Sequence, residues 1–277
     1  MPYDILIAID NPDTIPGCMA PAAAVARRLE APVTGLYVTG VPAPSAYGDV
    51  TGWQQMIDAY MEAQRLAATQ AEMAFRQELA RFQLAGDWLY RESDMTNGIA
   101  DVARVYDLLI LGQATPQAES DRLAALRPED IVLDCGRPVL LVPFAGEFDE
   151  VGRRVLIAWN GSREATRALH DALPLLAGAE AVTVIEVDRV ASDAGEAALG
   201  AGEVAEFLNR RGLPARSEAA ASGDVSVPDL LLSRAADLGA DLVVMGSYGR
   251  SRLSEAVLGG VSRSIFQTMT VPVLMSH

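Results

Sequence analysis

The sequence predicts an α/β protein of two tandem domains, each a five-stranded parallel sheet wound on both faces by helices. Three observations carry this: short apolar runs alternate with helical segments, the second half repeats the first, and 277 residues suffice for two domains. Asp107-Leu108-Leu109-Ile110-Leu111-Gly112 matches Asp241-Leu242-Val243-Val244-Met245-Gly246 at a shift of 134, and Pro138-Val139-Leu140 matches Pro272-Val273-Leu274 at the same shift. Near the starts, Leu6-Ile7-Ala8-Ile9-Asp10 pairs with Leu156-Ile157-Ala158-Trp159-Asn160 at a shift of 150, so the first copy carries 16 more residues in its middle. Units this long are duplicated domains, since solenoid repeats are shorter.

The elements follow in order. Leu6–Asp10 opens the first copy as a buried strand. Val41 to Gly52, rich in Pro, Gly and Ser, reads as a loop, and Trp53 to Phe82, Gln- and Ala-rich with no internal Pro or Gly, reads as one long helix. Loop and helix together are expected to hold the extra residues. The runs Asp107–Gly112 and Pro138–Leu140 close the first sheet. The segment Ala145 to Gly152, with two glycines and three acids, is the linker, which sets domains of 1–146 and 152–277. In the second copy the strands are Val155–Trp159, Ala181–Val187, Ala215–Ala219, Leu242–Gly246 and Val271–Met275. Ser162 caps a helix with Glu164 in its first turn and apolar positions Ala165, Leu169, Ala172, Leu173 and Leu176.

Composition narrows the function. A net charge of −15 argues against a nucleic-acid surface, which needs a cationic face. The apolar stretches are far shorter than the ~20 residues of a spanning helix, and Met1-Pro2-Tyr3-Asp4 leads straight into a strand, so neither membrane insertion nor export is expected and the location expected is cytoplasmic. Cys18 and Cys135 read as free thiols. There is no lysine, which removes a Walker-type loop and Schiff-base chemistry, and His170 and His277 alone cannot build a multi-histidine metal site.

The most informative stretch follows the strand Leu242–Gly246. Gly246, Gly249 and Gly259 stand in the spacing Gly-x2-Gly-x9-Gly, with Gly260 next. A buried strand running into glycines and then a helix start turns backbone N–H groups toward one point, which suits a phosphate. A tight strand-to-helix connection can also need glycine for its own geometry. Arg250 could add a charge-assisted contact or be a solvated loop cation.

Read with Val271-Pro272-Val273-Leu274-Met275, the segment Gly246 to Gly260 resembles the nucleotide-binding signature of universal stress proteins, whose sheet is of the adenine nucleotide alpha hydrolase-like, Rossmann-like type. The resemblance implies an adenine nucleotide such as ATP, with Mg²⁺ as a candidate companion, at the strand ends Ala158-Trp159-Asn160, Glu186-Val187-Asp188 and Met245-Gly246. It places Asn160 near base or ribose, backbone at Val187 against adenine, and the phosphates on Gly246, Gly249, Gly259 and Gly260. In ATP-binding members a Ser or Thr stands where this chain has Gly260, so a hydroxyl contact is missing. In the first copy Thr115, Ala125 and Leu126 replace Gly249, Gly259 and Gly260, and no nucleotide is expected there. Its expected job is to pair with the second copy through Val139–Val142 and Val273–Met275, as single-domain relatives pair in dimers.

Three readings remain open. One is a nucleotide-dependent regulatory protein of the stress response with a protein partner and a homodimer as candidates. Another is a slow ATPase using Glu186, Asp188 or Asp224 for Mg²⁺, although no general base is specified and no catalytic residue is assigned. The third is a nucleotide-free scaffold.

Overall fold

The computed structural model describes residues 3–40, 53–113, 128–188, 199–247 and 260–277. Among them, ten strands join in one sheet: β1 (Ile5–Ile9), β2 (Val33–Thr39), β3 (Gly86–Glu92), β4 (Leu108–Gly112), β5 (Val139–Val142), β6 (Arg154–Trp159), β7 (Ala181–Val187), β8 (Ala215–Ala220), β9 (Leu242–Gly246) and β10 (Val273–Ser276). Their order is β3-β2-β1-β4-β5-β10-β9-β6-β7-β8. Each copy contributes five parallel strands, and the halves meet at the antiparallel pair β5–β10, with Val273, Leu274 and Met275 opposite Leu141, Leu140 and Val139. Leu140 thus faces its own repeat counterpart, Leu274, which sets a pseudo-two-fold axis through that pair.

Eight helices are described: α1 (Ile15–Leu29), α2 (Trp53–Phe82), α3 (Met95–Ala103), α4 (Pro128–Asp134), α5 (Arg163–Ala172), α6 (Ala201–Asn209), α7 (Val227–Leu238) and α8 (Gly260–Thr268). The strands are apolar on both faces because both are covered. Ile5, Ile7 and Ile9 of β1 point into a core shared with α1, α2, α5 and α6. Leu6 and Ala8 point the other way, into a core shared with α3, α4, α7 and α8. Period-two alternation along each strand therefore feeds two cores, and each core runs through both halves. Helix starts follow capping chemistry: Ser162 Oγ accepts the Ala165 N–H, Asp94 accepts the Asn97 N–H and Ser226 Oγ accepts the Asp229 N–H.

The extra residues of the first copy sit as expected between β2 and β3, but the balance is not a single insertion. Val33 and Val182 are equivalent by register, as are Gly86 and Ala215, so the β2–β3 connection is 20 residues longer than β7–β8. The β3–β4 connection is then five residues shorter than β8–β9.

One device recurs at the amino ends of the strands. The Asp241 carboxylate accepts backbone N–H groups of Gly152 (2.6 Å), Arg153 and Arg154 as the chain enters β6. Its repeat partner Asp107 accepts the Asp4 N–H at 2.9 Å before β1. From the first half, Arg28 in the last turn of α1 donates to the carbonyls of Val151, Gly152 and Leu175. Gly152 has φ +86°, and a Cβ there would stand 2.5 Å from the Leu175 carbonyl oxygen. At the other end, the buried Gln113 side chain accepts the Phe144 N–H and donates to the Phe266 carbonyl of α8, a second bridge between halves.

Candidate functional site

In a doubly wound sheet, ligands gather beyond the carboxyl ends of the strands where strand order reverses. In the second half this point lies between β6 and β9, because the chain runs outward through β7 and β8 and returns to the other side of β6. Ala158 is paired with Met245 there and with Ile185 on its other side. The register brings Ala158, Met245, Gly246 and Val187 to one edge of the sheet. Two helices, α5 after β6 and α8 after β9, begin on this side and point positive dipole ends toward it.

Gly246 has a structural task of its own. A Cβ at this residue would meet the Ala165 nitrogen at 2.4 Å and the Glu164 carbonyl carbon at 2.5 Å, so the missing side chain lets the first turn of α5 close on the end of β9. At the repeat position Gly112 the nearest atom is Cys18 Sγ at 3.4 Å, an ordinary contact. The sequence reading gave Gly246 to ligand approach; in the fold it first permits helix-to-strand approach, which itself brings a helix start to the site. Gly260, first residue of α8, is exposed, and a Cβ there would meet nothing within 4 Å.

Asn160 directly follows β6, and its side-chain Oδ1 accepts the Ser162 N–H at 3.0 Å. The acceptor thus shapes the turn into α5, and the carboxamide NH₂ remains the group with which Asn160 could meet a ligand. Glu186 accepts the Ala201 N–H at the start of α6. Asp188, at φ +49°, accepts from the Ser222 N–H and hydroxyl, and those hydrogen bonds hold its carboxyl below the usual carboxylate range. Among the described residues no three His, Cys, Asp or Glu side chains group to hold a metal ion. Gly249, Arg250 and Gly259, like Thr115, Ala125 and Leu126 of the first copy, lie outside the described residues.

Sequence reasoning missed two serines. Ser247 and Ser276 are fully buried beside each other at the ends of β9 and β10, the Ser247 N–H donates to the Ser276 carbonyl, and neither hydroxyl has a hydrogen-bond partner among the described residues. A buried hydroxyl without a partner is uncommon and asks for one. The signal was available: polar residues end two runs that are otherwise wholly apolar.

The corresponding edge of the first half is built differently. Asp10 ends β1 in a desolvated position, and burial pushes its carboxyl up against hydrogen bonds from its own backbone, Asn11 and Thr14. Cys18 beside it is pushed up to about 12 by burial and by Asp10. Tyr37 of β2 stacks on Tyr90 of β3 at 6.5 Å, and its hydroxyl donates to Gln64 of α2 at 3.4 Å. Helix α2 also packs on the turn at Pro12–Thr14 after β1, so it roofs this edge.

Residues 152–277 match the model described as the Universal stress protein family. A universal stress protein from Synechocystis is 22% identical, with 98% of each chain covered. The crystal structure of a universal stress protein from Archaeoglobus fulgidus superposes with a TM-score of 0.72 at 17% identity, covering 99% of this chain and 97% of that one. A functionally unknown protein from Pseudomonas aeruginosa gives 0.58 at 17% identity, with 99% and 92% covered. At such identities the two structures establish a shared fold along the whole chain. Among the described residues no helix is long and apolar enough to cross a membrane.

Proposed function

We propose that this chain, whose residues 152–277 belong to the universal stress protein family, binds one adenine nucleotide in its C-terminal half and acts as a cytoplasmic, nucleotide-dependent regulator of a stress response. The observation that carries the reading is the β6–β9 switch point, where Ala158 and Met245 lie side by side and two helices begin. An anionic group there would be met by helix N-termini in place of lysines, consistent with a lysine-free chain. Gly246, Gly249, Gly259 and Gly260 with Arg250 would hold the phosphates. Ala158, Asn160 and Val187 would face the nucleoside, and the Ser247 hydroxyl, without a partner among the described residues, fits a site lacking one polar contact.

Binding rather than catalysis is the conclusion. Glu186 and Asp188 are engaged by backbone and serine groups, so Mg²⁺ would arrive with the nucleotide and be held mainly by its phosphates. Among the described residues none stands as a general base, and any hydrolysis would be slow. In the N-terminal half the roof of α2 over Asp10 and Tyr37 leaves the equivalent edge to packing.

The test is to denature purified protein and identify released nucleotide by chromatography, then to titrate emptied protein with ATP. One adenine nucleotide per chain is expected, and Gly249→Val should abolish it while the circular dichroism melt is kept. If extraction and calorimetry are both blank at millimolar ATP, the protein is a nucleotide-free scaffold.

A further inference from the structure

Helix α2 is 30 residues long, about 45 Å, yet among the described residues only one of its faces is packed. Ala68, Ala71, Phe75 and Leu79 are buried against the body. On the opposite side, positions 56, 59, 63, 66, 70, 73, 77 and 80 are all exposed. They alternate in steps of three and four, the spacing of a coiled-coil seam sustained over more than three heptads. Met56, Leu66 and Met73 on this seam are 48%, 60% and 69% exposed. No lysine or arginine interrupts it.

The pattern is self-complementary in one orientation. Placed antiparallel on a copy of itself about a two-fold axis near position 68, the seam sets Met56 against Ala80, Ala63 against Met73 and Leu66 against Gln70, so large side chains meet smaller ones. The same axis sets Glu62 of one copy beside Arg76 of the other, twice, along one flank of the seam. Arg76 is exposed and pairs with Glu72 of its own helix at 2.7 Å, leaving further guanidinium donors for a second carboxylate. A parallel, in-register pairing would stack Met73 on Met73 and Ala63 on Ala63, with bulges and gaps and with Ala67 opposite Glu62. We infer that a second copy of this chain covers the outer face of α2 in an antiparallel, two-fold helix pair. This dimer lies at the β3 end of the sheet, remote from the β6–β9 edge, and does not depend on nucleotide.

Sedimentation equilibrium of the purified full-length chain across the micromolar range tests this. A dimer is expected, Leu66→Glu with Met73→Glu should make it a monomer with an unchanged melt, and Arg76→Glu should weaken it about tenfold. Adding Glu62→Arg to Arg76→Glu should restore the affinity. A short bismaleimide should join chains carrying Thr69→Cys, which lies near the axis, but not Ala59→Cys, which faces Gln77; Cys18 and Cys135 are buried and do not compete. A wild-type monomer throughout, which would leave the face to a different protein, overturns the inference. So does a dimer indifferent to the two glutamates, or equal cross-linking at both cysteines.

Discussion

Gly246 and Gly260 stand in one motif but answer to different constraints. At Gly246 the backbone of α5 occupies the space a methyl would need, at 2.4 Å, and that backbone cannot swing away as a side-chain tip could. Gly246→Ala should cost about 1–3 kcal/mol by overpacking, read as a lower midpoint in urea with the slope unchanged. Gly260 faces open space, so Gly260→Ser should leave the midpoint alone. By restoring a hydroxyl it should tighten ATP binding by a factor of a few, about 1 kcal/mol for one hydrogen bond. Asp10 supplies a pH test. Its folded carboxyl is raised by burial, so the native state binds the proton more tightly and is stabilised at low pH; that contribution is lost as pH rises from the unfolded value of ~3.9 through the raised folded value. Asp10→Asn should therefore melt higher than the parent at neutral pH, with the difference shrinking to nothing in acid. A constant difference at all pH values would mean the charge is not the cause.

Between elements, the halves are joined by more than a strand pair. Arg28 gives hydrogen bonds to the Val151 and Gly152 carbonyls at the entry to β6 and to the Leu175 carbonyl, and these, with the charges of Asp241 and Glu150, offset its burial. Arg28→Ala should destabilise by about 2–4 kcal/mol, since several carbonyls lose a charged donor, and should raise hydrogen exchange at Val151 to Arg154 before the strands exchange. Strands and the length of α2 were legible in the sequence because apolar runs bounded by glycine, and a proline-free stretch, have few alternative structures. The Asp241 trap was not legible, since one acid before a strand looks like any solvated carboxylate until the fold brings Gly152 to Arg154 beside it. The outer seam of α2 was hidden for a related reason: alanine occupies both faces, so the contrast between them is weak.

The whole molecule is a pseudo-two-fold object with two unequal ends. The repeat shift of 134 made the pairing of Val139–Val142 with Val273–Met275 readable, and Leu140 opposite Leu274 follows from that symmetry. The sheet edge of the candidate site was legible where strands define it, at Ala158, Val187 and Met245. Ser247 and Ser276 emerged only from burial, because sequence does not say which hydroxyls lack partners. What symmetry proposes, α2 breaks: a connection 20 residues longer than its repeat counterpart roofs the edge of the first half. Isothermal titration of nucleotide-stripped protein with ATP measures this inequality directly. One site per chain, lost in Gly249→Val and kept in Asp10→Asn, is the predicted result; two sites per chain, or a single site lost in Asp10→Asn and kept in Gly249→Val, would contradict it.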